Sequence, residues 1–210
     1  MGKGRLEAFS DGVFAIAITL LVLTIATPTN YHRLGSQLVD RWPAFAAYAV
    51  SFTVIGIMWL NHHSIFQHFA RVDRALVYLN LLLLLTVVFI PYPTGIFGEA
   101  LKRGTGEEVA AVVYSVAMAF NACAWAALWL YASARRRLLD DAFPESERTT
   151  ATVLFTIGPV LYVIAIGIAF VDAYACLAFH ALLAAYYALD PLSRWVARLA
   201  AADPRQQPRA

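Results

Sequence analysis

From Val13 to Ile25 the chain carries no charged residue, and five further stretches of this kind follow. Hydropathy places the six at about 8–26, 43–63, 75–97, 109–134, 151–170 and 173–189, each near the roughly 20 residues that cross about 30 Å of hydrocarbon. Composition closes off a soluble alternative. The 210 residues are 60% hydrophobic and 14% charged, with mean hydropathy +0.62. A soluble domain has about a quarter of its residues charged, so this chain cannot cover its apolar surface with charge. The expected fold class is all-α: a polytopic membrane protein with six transmembrane helices per subunit. Residues 1–192 are expected to form that domain, and 193–210 a cytoplasmic tail, partly disordered. The first apolar run has no small-residue cleavage site and an acid interrupts its start, so it reads as a retained helix rather than a signal peptide.

Basic residues set the expected orientation. Lys3, Arg5, Arg71, Arg74, Arg135, Arg136, Arg137, Arg148, Arg194, Arg198, Arg205 and Arg209 fall on one side, and Arg33, Arg41, Lys102 and Arg103 on the other. By the positive-inside rule both termini are cytoplasmic. A net charge of +2 with scattered basic residues gives no reason to expect nucleic acid. Pro91 and Pro93 predict a break near the far end of the third span, and Pro159 a bend in the fifth. Thr105-Gly-Glu-Glu108 fits a capping box before the fourth span. Gly56, Gly158 and Gly167 are candidates for close helix packing. Cys123 and Cys176 lie in separate apolar runs and read as packing residues.

The first span begins Arg5-Leu-Glu-Ala-Phe9-Ser10-Asp11-Gly12. An acid about one turn inside a membrane helix costs free energy unless it has partners or a task. At roughly 100° per residue, Phe9, Gly12, Ile16, Leu20 and Leu23 share one face, with Arg5 on the same line and Thr19 on its shoulder. Ser10 and Asp11 point away from it. They should face neighbouring helices, because lipid does not tolerate the acid. Periodicity alone leaves open whether the Ile/Leu stripe meets lipid, another helix or a pore, and lipid or core is the commoner case. By depth, Arg5, Phe9, Ser10 and Asp11 share a layer with Trp59, Asn61, His62 and His63 at the end of the second span, and with Asn80 in the third. Arginine, histidine, indole and amide donors can satisfy a buried carboxylate, so this layer is expected to form a polar clasp between helices.

Three segments carry a resemblance: Arg5-x-x-x-Phe9-Ser10-Asp11 with the apolar run after it, Trp59-Leu-Asn-His62-His63, and Asn80 through Pro91-Tyr-Pro93-Thr. They closely resemble the prokaryotic, single-repeat branch of the transmembrane protein 175 family, whose animal members are endosomal and lysosomal potassium channels. The resemblance is strongest over residues 5–100. It implies a homotetramer of six-helix subunits around a central cation pore in a prokaryotic plasma membrane. It also implies that the first helix lines the pore, with Ile16, Leu20 and Leu23 as the constriction and Thr19 as a polar layer. Potassium and other monovalent cations would be the permeant partners, with membrane lipids around them and no cofactor. No Thr-Val-Gly-Tyr-Gly filter occurs, so the expected selectivity for K⁺ over Na⁺ is modest. No periodic array of arginines occurs, so the expected channel is of leak type.

Other polar residues read more plainly. His62 and His63 are adjacent and diverge by about 100° on a helix, so with His68 they suggest a structural role at the interface rather than a metal site. His180 stands alone in the sixth span, where an inter-helix hydrogen bond is the default. Arg135-Arg136-Arg137 is a basic run suited to anionic headgroups. No Ser/His/Asp set, P-loop or His-Glu-x-x-His occurs, so no enzyme is expected. The competing reading is a secondary transporter, proton-coupled through Asp11 and His180. It is weakened by the lack of an internal repeat and by an apolar first-helix midplane.

Overall fold

The structure, a computed structural model, describes residues 2–134 and 138–189. The basic run at 135–137 and the 193–210 tail lie outside the described residues. Among the described residues eight α-helices follow one another: α1 Lys3–Leu21, α2 Leu34–Val39, α3 Trp42–Gln67, α4 Arg74–Phe89, α5 Pro91–Arg103, α6 Glu107–Ser133, α7 Glu145–Ala169 and α8 Ala173–Leu189. A 3₁₀ turn, Val22–Thr24, extends α1. Five segments among the described residues are long and apolar enough to span a bilayer: Lys3–Thr24, Trp42–Gln67, Arg74–Arg103, Glu107–Ser133 and Glu145–Ala169. The sixth, Ala173–Leu189, is apolar and 17 residues long, at the short end of the spanning range. The chain is therefore all-α and built from six apolar helical crossings.

Local chemistry explains the element ends. Asp73 caps α4 by accepting a hydrogen bond from Leu76 N at 2.9 Å. The third crossing breaks where the prolines require it. Pro91 has no N–H to give the Val87 carbonyl, which instead accepts from Ile90 N at 3.1 Å, so α4 stops and α5 starts afresh. α7 continues through Pro159. The turn from α5 to α6 uses two left-handed glycines, Gly104 at φ 67° and Gly106 at φ 71°. Gly106 is the residue immediately before α6, and no side chain caps the helix, which corrects the capping box expected at Thr105. The left-handed turn puts Thr105 outside the helix start. Glu107 and Glu108 still complement the positive end of the helix dipole.

α6 is the central helix of the bundle and touches α4, α5, α7 and α8. It is the most enclosed of the five long segments, with 56% of its apolar window buried against 28% for the first and 17% for α7. α1 lies to one side, on α3, α4 and α5. At one end of the bundle the α3–α4 loop pairs with the segment before α7: Ala70 N donates to Leu138 O (2.8 Å) and Asp140 N to His68 O (2.9 Å).

The glycines that permit close approach are not those expected from the sequence. A Cβ at Gly56 or Gly167 would meet nothing within 4 Å, and one at Gly158 would make only ordinary contact. The close approaches are on α5, where a Cβ at Gly95 would lie 2.9 Å from Thr24 Cβ and one at Gly98 only 2.7 Å from Ala44 Cα. The short α5 is wedged between the end of the first crossing and the start of α3. Cys176 is buried beside Ser115 (Sγ to Oγ 3.3 Å), whereas Cys123 is exposed.

Candidate functional site: the first helix and its polar mounts

The buried side of α1 is Leu6, Ser10, Phe14, Ala17 and Leu21, spaced by three and four residues. The opposite side is bare. Ile16 is 58% exposed, Leu20 41% and Leu23 76%, and Thr19, Gly12, Phe9 and Arg5 are exposed with them. The Thr19 hydroxyl donates to Ile16 O at 2.8 Å, so it satisfies its proton within the helix and turns lone pairs outward.

Ser10 is the centre of a buried chain that joins three helices. Its hydroxyl donates to Leu6 O (2.9 Å) and accepts from Asn80 Nδ2 on α4 (2.9 Å). The Asn80 carbonyl oxygen then faces His62 Nε2 on α3 at 2.8 Å. An amide oxygen can only accept, so His62 carries its proton on Nε2. Its other ring nitrogen, Nδ1, is buried without a hydrogen-bond partner among the described residues. The ring stacks on Phe66 with centroids 4.0 Å apart, and Phe14 and Trp125 approach it edge-on at 5.4 and 6.2 Å.

A second, more open string runs beside it. Trp59 Nε1 donates to Asp11 Oδ1 at 2.9 Å. The His63 ring stacks on the Trp59 indole at 6.2 Å, and Gln67 Nε2 lies 2.8 Å from His63 Nε2. The Gln67 carbonyl accepts from Lys3 Nζ at 3.0 Å, which ties the start of α1 to the end of α3.

The residues of the expected clasp thus divide. Ser10, His62 and Asn80 form the buried chain, and Asp11, Trp59 and His63 the outer string. Arg5 and Phe9 lie on the exposed stripe, and Asn61 on another side of α3, where it lines a separate cavity. Depth alone grouped them. The angular position on the helix separates Arg5 and Phe9 from Ser10, and 100° of turn separates Asn61 from His62.

Two features of the opposite half of the bundle were not anticipated. Arg41, at the start of α3, is only 5% exposed and its Nη2 donates to Thr27 O at 3.2 Å, just past the first crossing. Its Nε and Nη1 are buried with no hydrogen-bond partner among the described residues. Near the proline break, Ser51 lies 2.8 Å from Thr94 Oγ1 and 2.9 Å from the Tyr114 hydroxyl, while Thr94 donates to Ile90 O at 2.8 Å. The chain of donors runs Tyr114, Ser51, Thr94, Ile90 O, and every member is satisfied. His180 belongs to a different group, with Ser115 Oγ 3.0 Å from its Nε2 and the rings of Tyr114 and Tyr162 against it. The two residues of the transporter reading, Asp11 and His180, therefore sit in separate clusters.

Fold and site together define a helical integral membrane protein whose first helix is held by polar contacts along its back and left uncovered along its front. The chain belongs to the TMEM175 family. The family model described as "Endosomal/lysosomal potassium channel TMEM175" matches residues 5–91. A Streptomyces collinus protein named a potassium channel is 47% identical over 90% of this chain and 92% of its own length. Another potassium channel, from Chamaesiphon minutus, is 41% identical over 89% of this chain and 93% of its own. The crystal structure of a lysosomal potassium-selective channel TMEM175 homolog from Chamaesiphon minutus superposes with TM-score 0.81 at 40% identity, covering 90% of this chain and 97% of that one.

Proposed function

We propose that the chain is one subunit of a homotetrameric, potassium-permeable leak channel in a prokaryotic plasma membrane. Its first helix lines the pore, Ile16, Leu20 and Leu23 form the constriction, and Thr19 supplies a polar layer. Family membership and the potassium-channel names of its full-length relatives support the function. One observation carries the assignment of the pore face: the stripe of Ile16, Thr19, Leu20 and Leu23 is exposed while the opposite face of the same helix is buried and hydrogen-bonded to α4. A helix presented this way borders something other than its own subunit.

Four such stripes around an axis give rings of branched apolar side chains. A narrow ring of this kind loses its water and blocks ions, and slight widening lets partly hydrated cations through. Selectivity for K⁺ over Na⁺ is then modest, because no ring of backbone carbonyls replaces the hydration shell. Both termini face the cytoplasm, an orientation that the distribution of basic residues supports. The test is K⁺ flux in liposomes with Ile16→Asn, together with subunit counting by cross-linking. Raised flux from a four-subunit assembly is the expected result. Unchanged flux, or a monomer, would sink the pore assignment.

A further inference from the structure

α3, α6, α7 and α8 do not close on one another at the end of the bundle that holds the N-terminus of α1. Between them lies a half-open cavity of about 450 Å³. Much of its wall is aromatic and apolar: Trp125, Phe155, Tyr162, Met58 and Leu154, with Gly158 beside them. Polar side chains interrupt these walls: Asn61 and Ser64 on α3, Asn121 on α6, and Tyr186 and Tyr187 on α8. Among the described residues no Asp, Glu, Lys, Arg or His lines it. The volume lies in the range of cavities that hold one small organic molecule.

We propose that this cavity binds an uncharged amphiphile, with its ring or short alkyl body against Trp125 and Phe155 and a hydroxyl or amide head at Asn61 and Ser64. The lining selects this chemistry. An ion would lose its water with no counter-charge to replace it, whereas a neutral head loses little between an amide, a hydroxyl and a phenol. A fully apolar molecule would leave Asn61 and Ser64 covered and unpaired.

The wall of the cavity is also part of the mount of the first helix. Trp125 stacks on Phe155 at 5.5 Å and meets the His62 ring edge-on at 6.2 Å. His62 holds Asn80, and Asn80 holds Ser10. An occupant therefore presses on the Trp125 ring, one ring contact and two hydrogen bonds away from α1, and its presence alters ion flux. This second half rests on the channel reading above; the binding itself does not.

Decanol carrying a diazirine, irradiated on the full-length protein in liposomes, tests both halves. Adducts mapped by mass spectrometry are expected on α7 and α8 at the cavity, displaced by excess unlabelled decanol. Leu154→Trp, which fills the space from a half-buried position, is expected to cut that labelling at least tenfold while the assembly still elutes as in the wild type. Ala188→Phe at the exposed rim serves as a second filling variant if Leu154→Trp does not fold. Adducts spread over lipid-facing positions such as Val163 and Leu182, and indifferent to filling, would overturn the site. So would cross-links from a photoreactive side chain at position 154 to residues 190–210, which would assign the cavity to the chain's own end. Labelling with no change in K⁺ flux that Leu154→Trp removes would keep the site and overturn its coupling to the first helix. No K⁺ flux in either protein would count against the channel reading alone.

Discussion

Asn80 bridges Ser10 and His62 with a single amide, donating to one at 2.9 Å and accepting from the other at 2.8 Å. One side chain on α4 thereby fixes the position of α1 and the tautomer of a histidine on α3. Within a bilayer, lipid is as apolar as leucine and burial gives helices little reason to associate, so contacts of this kind and close packing determine the arrangement.

Asn80→Ala should therefore cost more than its size suggests. It leaves Ser10 Oγ without its donor and His62 Nε2–H without its acceptor in a buried site, a penalty of about 1–3 kcal/mol for each group stranded. Thermal unfolding in detergent should show a clear drop in midpoint. Asn80→Asp keeps an acceptor for His62 but not the donor to Ser10, and should fall between the two. An unshifted midpoint for Asn80→Ala would mean that the chain does not hold the helices.

The exposed stripe makes a separate prediction. Leu23→Ala and Ile16→Ala remove branched side chains that the subunit's own packing does not use, since both are more than half exposed. Unfolding of the isolated assembly should change by less than about 1 kcal/mol, near the range for substitutions that bury nothing. K⁺ flux should nevertheless rise several-fold as the constriction widens. A large loss of stability with no gain in flux would show that the stripe is a packing surface.

Gly98 and Gly56 form a matched pair. A methyl at Gly98 would sit 2.7 Å from the Ala44 backbone, which cannot swing aside, whereas one at Gly56 meets open space. Overpacking typically costs about 1–3 kcal/mol. Gly98→Ala should lower the unfolding midpoint, and Gly56→Ala should leave it unchanged or raise it slightly through the helix preference for alanine. Equal effects would contradict the wedged position of α5.

Arg41 links the C-terminal end of the first crossing to α3 through Thr27 O. Replacing a buried, incompletely paired charge by an apolar side chain of similar length is often neutral for stability. Arg41→Met should accordingly fold, but amide hydrogen exchange at Leu23 to Thr27 should accelerate several-fold because the tie is gone. Unaltered exchange there would show that the guanidinium holds nothing in place.

Much of this could be read before any coordinates. Six uninterrupted apolar runs leave few folds, and Pro91 foretold the break after Ile90. Ser10, Asn80 and His62 were recognisable because polar side chains at one depth in a membrane must find each other. Arg5, Phe9 and Asn61 share that depth but not that direction, and only helix rotation distinguishes them. α2 escaped notice because Leu34 to Val39 is too short to show a period. Gly95 and Gly98 could not be singled out, since closeness depends on which helix lies opposite, and that is a property of the packed bundle. Arg41 looked like one more basic residue on the less basic side, and nothing in its neighbours marked it as buried.

The first crossing is gripped near both ends, by Gln67 at Lys3 and by Arg41 at Thr27. Such a rod can twist or bow between its fixings, but it cannot travel lengthwise without breaking one of them. A piston stroke is thereby removed from its repertoire. The width of any passage it borders is left to the rotamers of Ile16, Leu20 and Leu23, and to how far neighbouring copies stand apart.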